Sequence, residues 1–304
     1  MSVLLQYLFD ALNLGSLYAL GALGIALIFG IMRLVNFAHG DYIAFCVFAL
    51  LWPSIDAGAI VFLGNLPFWA LIPVVLATGA ALSMLSEVLV FRYFRNANPA
   101  TMMIASFALG FVIKHFLLML YSSRPKSINL WPDLSLPVEI LGARIPLLQV
   151  ITIAITLVIL LLLTTFLKRT RYGLEMRAAA ENFTMARMLG VRANRVILAA
   201  FAISGMLAAA IGLILATNSG TADIAMGANV MLIAFIATVI GGLGSLPGAV
   251  AAGFLIGAAS VLFQATLPHD ARVFRDAFVY GAVIVVLLVR PQGLFAPNSA
   301  KQRV

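Results

Sequence analysis

Charge is scarce in this chain. Of its 304 residues, 10% are Asp, Glu, Lys or Arg and 63% are hydrophobic. A soluble domain keeps about a quarter of its residues charged, so a soluble globular fold is excluded. Cysteine is almost absent as well: Cys46 stands alone, which rules out an intrachain disulfide and a cysteine-based metal cluster and leaves the redox compartment open. The three histidines, His39, His115 and His269, are scattered, and no metal site is expected. The sequence contains no GxxxxGK[ST], HExxH, GxSxG or TVGYG pattern. ATP binding through a P-loop, zinc or serine hydrolase chemistry and a potassium-type filter are therefore excluded. The expectation is a chain with no catalytic residue, no bound cofactor and no enzyme activity, serving as a solute pathway or a membrane scaffold. Basic residues are missing before Arg33, so the N-terminus does not read as a secretory signal and is expected on the outer side.

What is present is oil in long runs. Nine apolar segments can be drawn: Tyr7–Gly30, Tyr42–Leu63, Phe68–Phe91, Ala100–Tyr121, Leu147–Leu167, Val196–Ala216, Asn229–Ile240, Ala249–Ala265 and Val273–Val289. A helix of about 20 residues crosses the hydrocarbon core, and a spanning segment must satisfy its own backbone. The fold class is an all-α polytopic membrane protein of about eight to ten transmembrane helices, forming one domain over 1–304. The seventh and eighth segments are short, and half-helices or one bent pair are alternatives there.

The charge that exists is concentrated. Seven of nineteen Lys and Arg lie in residues 168–195, against the two acids Glu175 and Glu181, and the flanking runs Leu147–Leu167 and Val196–Ala216 carry none. An excess of Lys and Arg marks a cytoplasmic loop. The net charge of +8 is what such loops produce, so no nucleic-acid partner is implied. Alternation then puts Arg92 and Arg95 inside, residues 122–146 outside, and the tail from Arg290, with Lys301 and Arg303, inside. Within the basic loop, Asn182 is an N-cap candidate, Phe183 to Leu189 can form two helical turns, and Gly190 is a C′ stop. Phe183 with Ala186, and Met185 with Met188, recur at i+3. Two readings stand: a docking element for a cytoplasmic partner, or an interfacial helix in an ordinary positive-inside loop.

The outer loop contains Pro125, Pro132, Pro137 and Pro146 with Trp131, and residues 138–145 read as a hairpin around Gly142. It serves either to receive an external partner or as a lid. Two interruptions break the apolar framework. The first places Arg33, Asn36, His39 and Asp41 in the run GIMRLVNFAHGDY; the second is GGLGSLPG, Gly241 to Gly248, with Gly242 and Gly244. Irregular backbone at membrane depth is tolerated where protein or a water-filled cavity covers it, and paired interruptions point to a transport pathway. For GGLGSLPG a simple cytoplasmic turn is the competing reading. Glu87, Lys114, His115 and Asp276 are further polar residues in apolar segments, and no proton relay can be drawn through them; Glu87 reads as an end-of-helix partner of Arg92. Gly253 with Gly257, and Ala208 with Gly212, provide close helix packing, in a bundle or at a dimer interface.

Taken together, these stretches resemble one family. LVNFAHGD, the central RAAAEN…A…G pattern (Arg177 to Gly190), GGLGSLPGAVAAG and the closing RPQGLF (Arg290 to Phe295) occur in the order found in permease subunits of branched-chain amino-acid ABC importers, the LivH type. The resemblance implies an inner-membrane protein whose cytoplasmic coupling helix contains Arg177, Glu181, Asn182, Ala186, Met188 and Gly190. It also implies a second homologous permease subunit, two ATP-binding-cassette ATPases that use the ATP, and a periplasmic solute-binding protein. Phe183-Thr184 replaces a pair that often contains proline. Arg33, Asn36, His39, Asp41, Gly241, Gly242 and Gly244 are candidates for the pathway or its gate. An ion-coupled secondary transporter of small polar solutes and an ABC permease for urea or amides are the competing functions.

Overall fold

A 31-residue helix, α1 (Ser2–Met32), opens the chain, and helices dominate the rest. The computed structural model describes residues 2–54, 56, 58–62, 67–95, 97–128, 130–131, 134, 136–140 and 143–295. Leu63, Pro132, the proposed hairpin apex Gly142 and the tail residues Lys301 and Arg303 lie outside them. Among the described residues, six helices are long and apolar enough to cross a membrane: Val3–Met32, Ala70–Phe94, Pro99–Tyr121, Leu147–Arg169, Ala193–Ser219 and Leu246–Thr266. Shorter helices correspond to the other three apolar segments: α2 (His39–Phe48), α10 (Met226–Gly241) and α12 (Arg275–Val289). The chain is an all-α, multi-pass membrane protein.

Contacts divide it into two compact units, one of Met1–Ala26, Trp131–Thr165 and Ile233–Val304, the other of Leu27–Leu130 and Phe166–Leu232.

In the first unit, α11 (Leu246–Thr266) lies against the N-terminal part of α1. A Cβ added at Gly253 would meet the Ala19 backbone at 2.6 Å, and one at Gly257 would collide with Gly15. Lipid tails supply no hydrophobic force between helices, so close backbone approach through small residues provides the contact area. The GxxxG motif is thus an intrachain packing face. Tyr18, Ala22 and Ile25 pack with Ala234, Ala237 and Ile256, and Thr238 donates to the Ala22 carbonyl at 3.1 Å. The outer hairpin is present as β2 (Pro137–Ile140) and β3 (Ala143–Pro146), antiparallel with Val138 opposite Ile145. It leads into α6 (Leu147–Arg169).

The second unit is built around α9 (Ala193–Ser219), 27 residues long and so about 40 Å from end to end. It crosses α3 (Phe68–Ser86) where Gly79 and Gly205 touch backbone to backbone. It also packs on α2, where a Cβ on Gly212 would meet the Ile43 carbonyl at 2.7 Å. After α3 the helix widens into a π-turn at Glu87–Phe91 and ends in α4 (Arg92–Phe94). Next comes α5 (Pro99–Tyr121). At the outer end, β1 (Lys126–Ser127) pairs with β4 (Thr221–Ala222).

The second apolar segment needs correction. It is not a helix over Tyr42–Leu63: α2 stops at Phe48, and the described residues beyond it turn and fold back, with Leu51 bridged to Val61 and Gly58 to Ser127. Tyr121 donates to the Phe48 and Leu51 carbonyls at 2.8 and 3.0 Å, occupying orphan acceptors at the helix end. Hydropathy misread this stretch because composition alone does not tell an apolar loop from a helix; Trp52, Ile60 and Phe62 are exposed here.

A candidate cytoplasmic coupling face and an interrupted segment

The basic loop folds into two helices. Thr170 accepts from the Gly173 amide at 3.0 Å and starts α7 (Arg171–Glu181). Gly173, Met176 and Ala179 recur at i+3 and are buried. Asn182 ends α7 and caps α8 (Phe183–Met188), accepting from Met185 N at 3.1 Å. Gly190, at φ +89°, stops it, with Val191 N bonded to the Ala186 carbonyl at 3.1 Å. A side chain at that φ would be strained. The predicted two faces are present: Ala186 is buried and Phe183 half-buried, whereas Met185, Met188 and Leu189 are 58, 77 and 86% exposed. Arg177 and Glu181 are exposed on the preceding helix. Three large apolar side chains thus stand together at the end of a capped, six-residue helix.

Beside α8 lies a cleft of about 850 Å³, lined by Ile31 to Arg33 at the end of α1, by Arg95, by Phe183, Thr184 and Arg187, and by residues 191–195 with Ile197. Arg95 donates to Asn194 and to Glu87; Glu87, fully buried, also accepts from Arg92 at 3.0 Å. This places Arg92 and Arg95 at the same end of the unit as the basic loop, as the charge pattern requires. Glu87 is the end-of-helix partner expected of it.

From that cleft the chain turns back. Arg33 takes φ +56° and donates its amide to the Phe29 carbonyl at 2.8 Å. Residues 33–36 follow without helix, and Leu34, Val35, Asn36 and Ala38 are buried. Ser106 of α5 accepts from Phe37 N at 3.2 Å, and Asn36 Oδ1 from Ala38 N at 3.1 Å. Phe37 stacks on Phe107 at 4.2 Å. His39 begins α2 and sits 3.3 Å from the Ser204 hydroxyl of α9. Nδ2 of Asn36 and Nε2 of His39 bond to no protein atom. The half-buried Asp41 carboxylate lies where a Cβ on Gly110 would be. Residues 33–38 thus carry no helix: the backbone is left-handed at Arg33, turns between Asn36 and His39, and enters α2 against α5 and α9.

Gly241, Gly242 and Gly244 belong to the other unit and form a tight turn. Gly242 and Gly244 take φ +97° and +88°, and Ser245 accepts from Gly248 N at 3.2 Å to start α11. Leu294 of RPQGLF donates to the Ile240 carbonyl at 2.7 Å, and a Cβ on Gly293 would meet Gly242 at 2.8 Å. Two motifs far apart in sequence thus close one corner, and GGLGSLPG takes the turn reading.

A family model described as "Branched-chain amino acid transport system / permease component" matches residues 7–288. The chain belongs to that permease family. It is 31% identical over 314 residues to the high-affinity branched-chain amino acid transport system permease protein LivH of Escherichia coli K12, covering 95% of this chain and 94% of that protein. Identity to BraD of Pseudomonas aeruginosa, a permease protein of the same description, is 32% over 304 residues, with 95% of each chain covered. A probable LivH of Methanocaldococcus jannaschii is 26% identical over 94% of this chain.

In this permease, sequence reasoning missed α7 and the arginine-lined cleft. For α7 a signal existed, since Thr170 is an N-cap residue and Gly173, Met176 and Ala179 follow at helical spacing. For the cleft there was none: Arg33, Arg95 and Arg187 are brought together only by the fold.

Proposed function

We propose that this chain is the membrane conduit of an ATP-binding-cassette importer of branched-chain or related amino acids. Its exposed α8 tip is the point at which an ATPase grips it. The observation that carries this is α8 itself: capped at Asn182, stopped at Gly190 and anchored by Ala186, it leaves Met185, Met188 and Leu189 in the open. A helix held this firmly with an uncovered apolar end suits a socket on another protein. The chain acts as one permease domain beside a second homologous subunit and binds no cofactor; two ATPases use the ATP, and a periplasmic binding protein brings the amino acid. Arg177 and Glu181 flank the contact.

The interrupted stretch from Arg33 to Asp41 is the gate. Asn36 and His39 keep unused bonding capacity at membrane depth, which is costly and characteristic of transport paths. Gly241, Gly242 and Gly244 let the α10–α11 corner close without being part of that stretch.

Replacing Leu189 with Asp tests the docking role. The variant inserts normally, but the ATPases no longer co-purify with it, and uptake of labelled leucine by the reconstituted complex falls at least tenfold. Full uptake by this variant would remove α8 from the mechanism.

A further inference from the structure

The cleft beside α8 has a composition that docking does not use. Among its thirteen lining residues are five arginines, Arg33, Arg95, Arg187, Arg192 and Arg195, and no acid. Arg95 is taken by Glu87 and Asn194. Among the described residues, no salt bridge reaches the other four. These four are solvent-exposed, and their like charges around one concavity give it a positive potential that favours an anion. Arg33 also holds a left-handed backbone conformation that a residue with a Cβ rarely adopts, and it lies at the lip of this cleft.

The rest of the lining says what kind of anion. Ile31 and Met32 end one membrane-crossing helix, and Ile197 lies in the second turn of another. The cleft therefore pairs guanidinium groups with an apolar wall at the level where spans meet the cytoplasm. The exposed tip residues Met188 and Leu189 are not in the lining, so this face of α8 is separate from the one proposed for the ATPase. At about 850 Å³ it falls within the roughly 300–1,000 Å³ of small-molecule sites.

We infer that this cleft binds the phosphate of an anionic phospholipid headgroup from the inner leaflet, with Arg187, Arg192 and Arg195 contacting the phosphate oxygens and Ile31 and Met32 receiving the start of the lipid tails. Arginine suits this because its planar fork gives two parallel hydrogen bonds to a phosphate, and basic pockets between spans on the cytoplasmic side are built this way. An occupant would tie α8 to the ends of α1 and α9, so inner-leaflet composition would tune how firmly the coupling helix is held.

Native mass spectrometry of the purified full chain, equilibrated with phosphatidylglycerol, phosphatidylcholine or inorganic pyrophosphate, tests this. The expected result is one retained phosphatidylglycerol and no retained phosphatidylcholine. The double variant Arg187→Gln/Arg195→Gln weakens phosphatidylglycerol binding about 30-fold, at about fivefold per arginine. The charge-keeping Arg187→Lys/Arg195→Lys loses less than fivefold. Removing the same charge at two exposed positions outside the cleft, Lys168→Gln/Arg171→Gln, changes binding less than twofold. Competition by pyrophosphate at equal affinity supports the phosphate site but makes a soluble anion its occupant. Undiminished phosphatidylglycerol binding by the Gln variant overturns the proposal. So does a Gln variant that keeps its lipid and loses the ATPases, which would mean that the cleft holds an acidic segment of that partner.

Discussion

Glu87 shows how much one side chain can carry in this fold. It is fully buried on a π-turn and held by Arg92 and Arg95. Glu87→Ala leaves Arg92 and Arg95, 38% and 19% exposed, without a counter-ion. Solvent screening keeps the cost below the about 3–5 kcal/mol of a fully buried pair but above the about 0–1 kcal/mol of an exposed one. Glu87→Ala is therefore expected to lower the thermal midpoint of the purified protein sharply. Glu139→Ala, which breaks the exposed pair with Arg144, should leave it nearly unchanged. Equal midpoints for the two variants would contradict the buried network. Gly205 gives a second residue-level expectation. A Cβ there collides with the Gly79 backbone and the Ser83 Cβ, and the helix backbone at Gly79 cannot step aside. Gly205→Val should prevent the α3–α9 crossing, seen as loss of monodisperse protein on gel filtration in detergent.

At the scale of elements, α8 is the piece to which the proposed coupling belongs, and its cap is measurable. Asn182→Ala removes the bond to Met185 N, and such caps are worth about 1 kcal/mol. Amide exchange at Met185 and Ala186 should quicken about fivefold, with exchange in the buried middle of α9 unchanged. Proline at Ala186 is harsher, since the ring clashes with the carbonyl one turn back and Ala186 N is bonded to the Asn182 carbonyl. That variant should insert but fail to couple, read as normal membrane yield with lost uptake. Much of this element was legible beforehand, because caps and stops are local chemistry: Asn182, the i+3 pairs and Gly190 lie where the sequence puts them. The interrupted stretch from Arg33 to Phe48 was not. Its apolar residues suit a helix equally well. Only Ser106, which accepts from Phe37 N, and Tyr121, which donates to the Phe48 carbonyl, both on α5, show how the backbone before α2 and at its end is satisfied. The arginine cleft was illegible for the same reason: its members come from positions as far apart as Arg33 and Arg195.

At the scale of the whole molecule, the orientation of every loop follows from placing residues 168–195 inside. The lone native thiol makes this easy to check, since Cys46 is buried and stays out of reach of a bulky reagent. With a membrane-impermeant maleimide, Leu189→Cys should label only in inside-out vesicles, and Leu136→Cys, exposed beside the outer hairpin, only in right-side-out ones. The larger claim is that this permease moves nothing by itself and is driven from its inner face by ATPases it does not contain. The most direct measurement is the initial rate of labelled leucine uptake into proteoliposomes, with and without the ATPases, at fixed binding protein and with ATP enclosed on the ATPase side. Uptake that requires both ATPase and ATP, and that an imposed proton or sodium gradient cannot replace, is the predicted result. Gradient-driven uptake by this chain without the ATPases would contradict it.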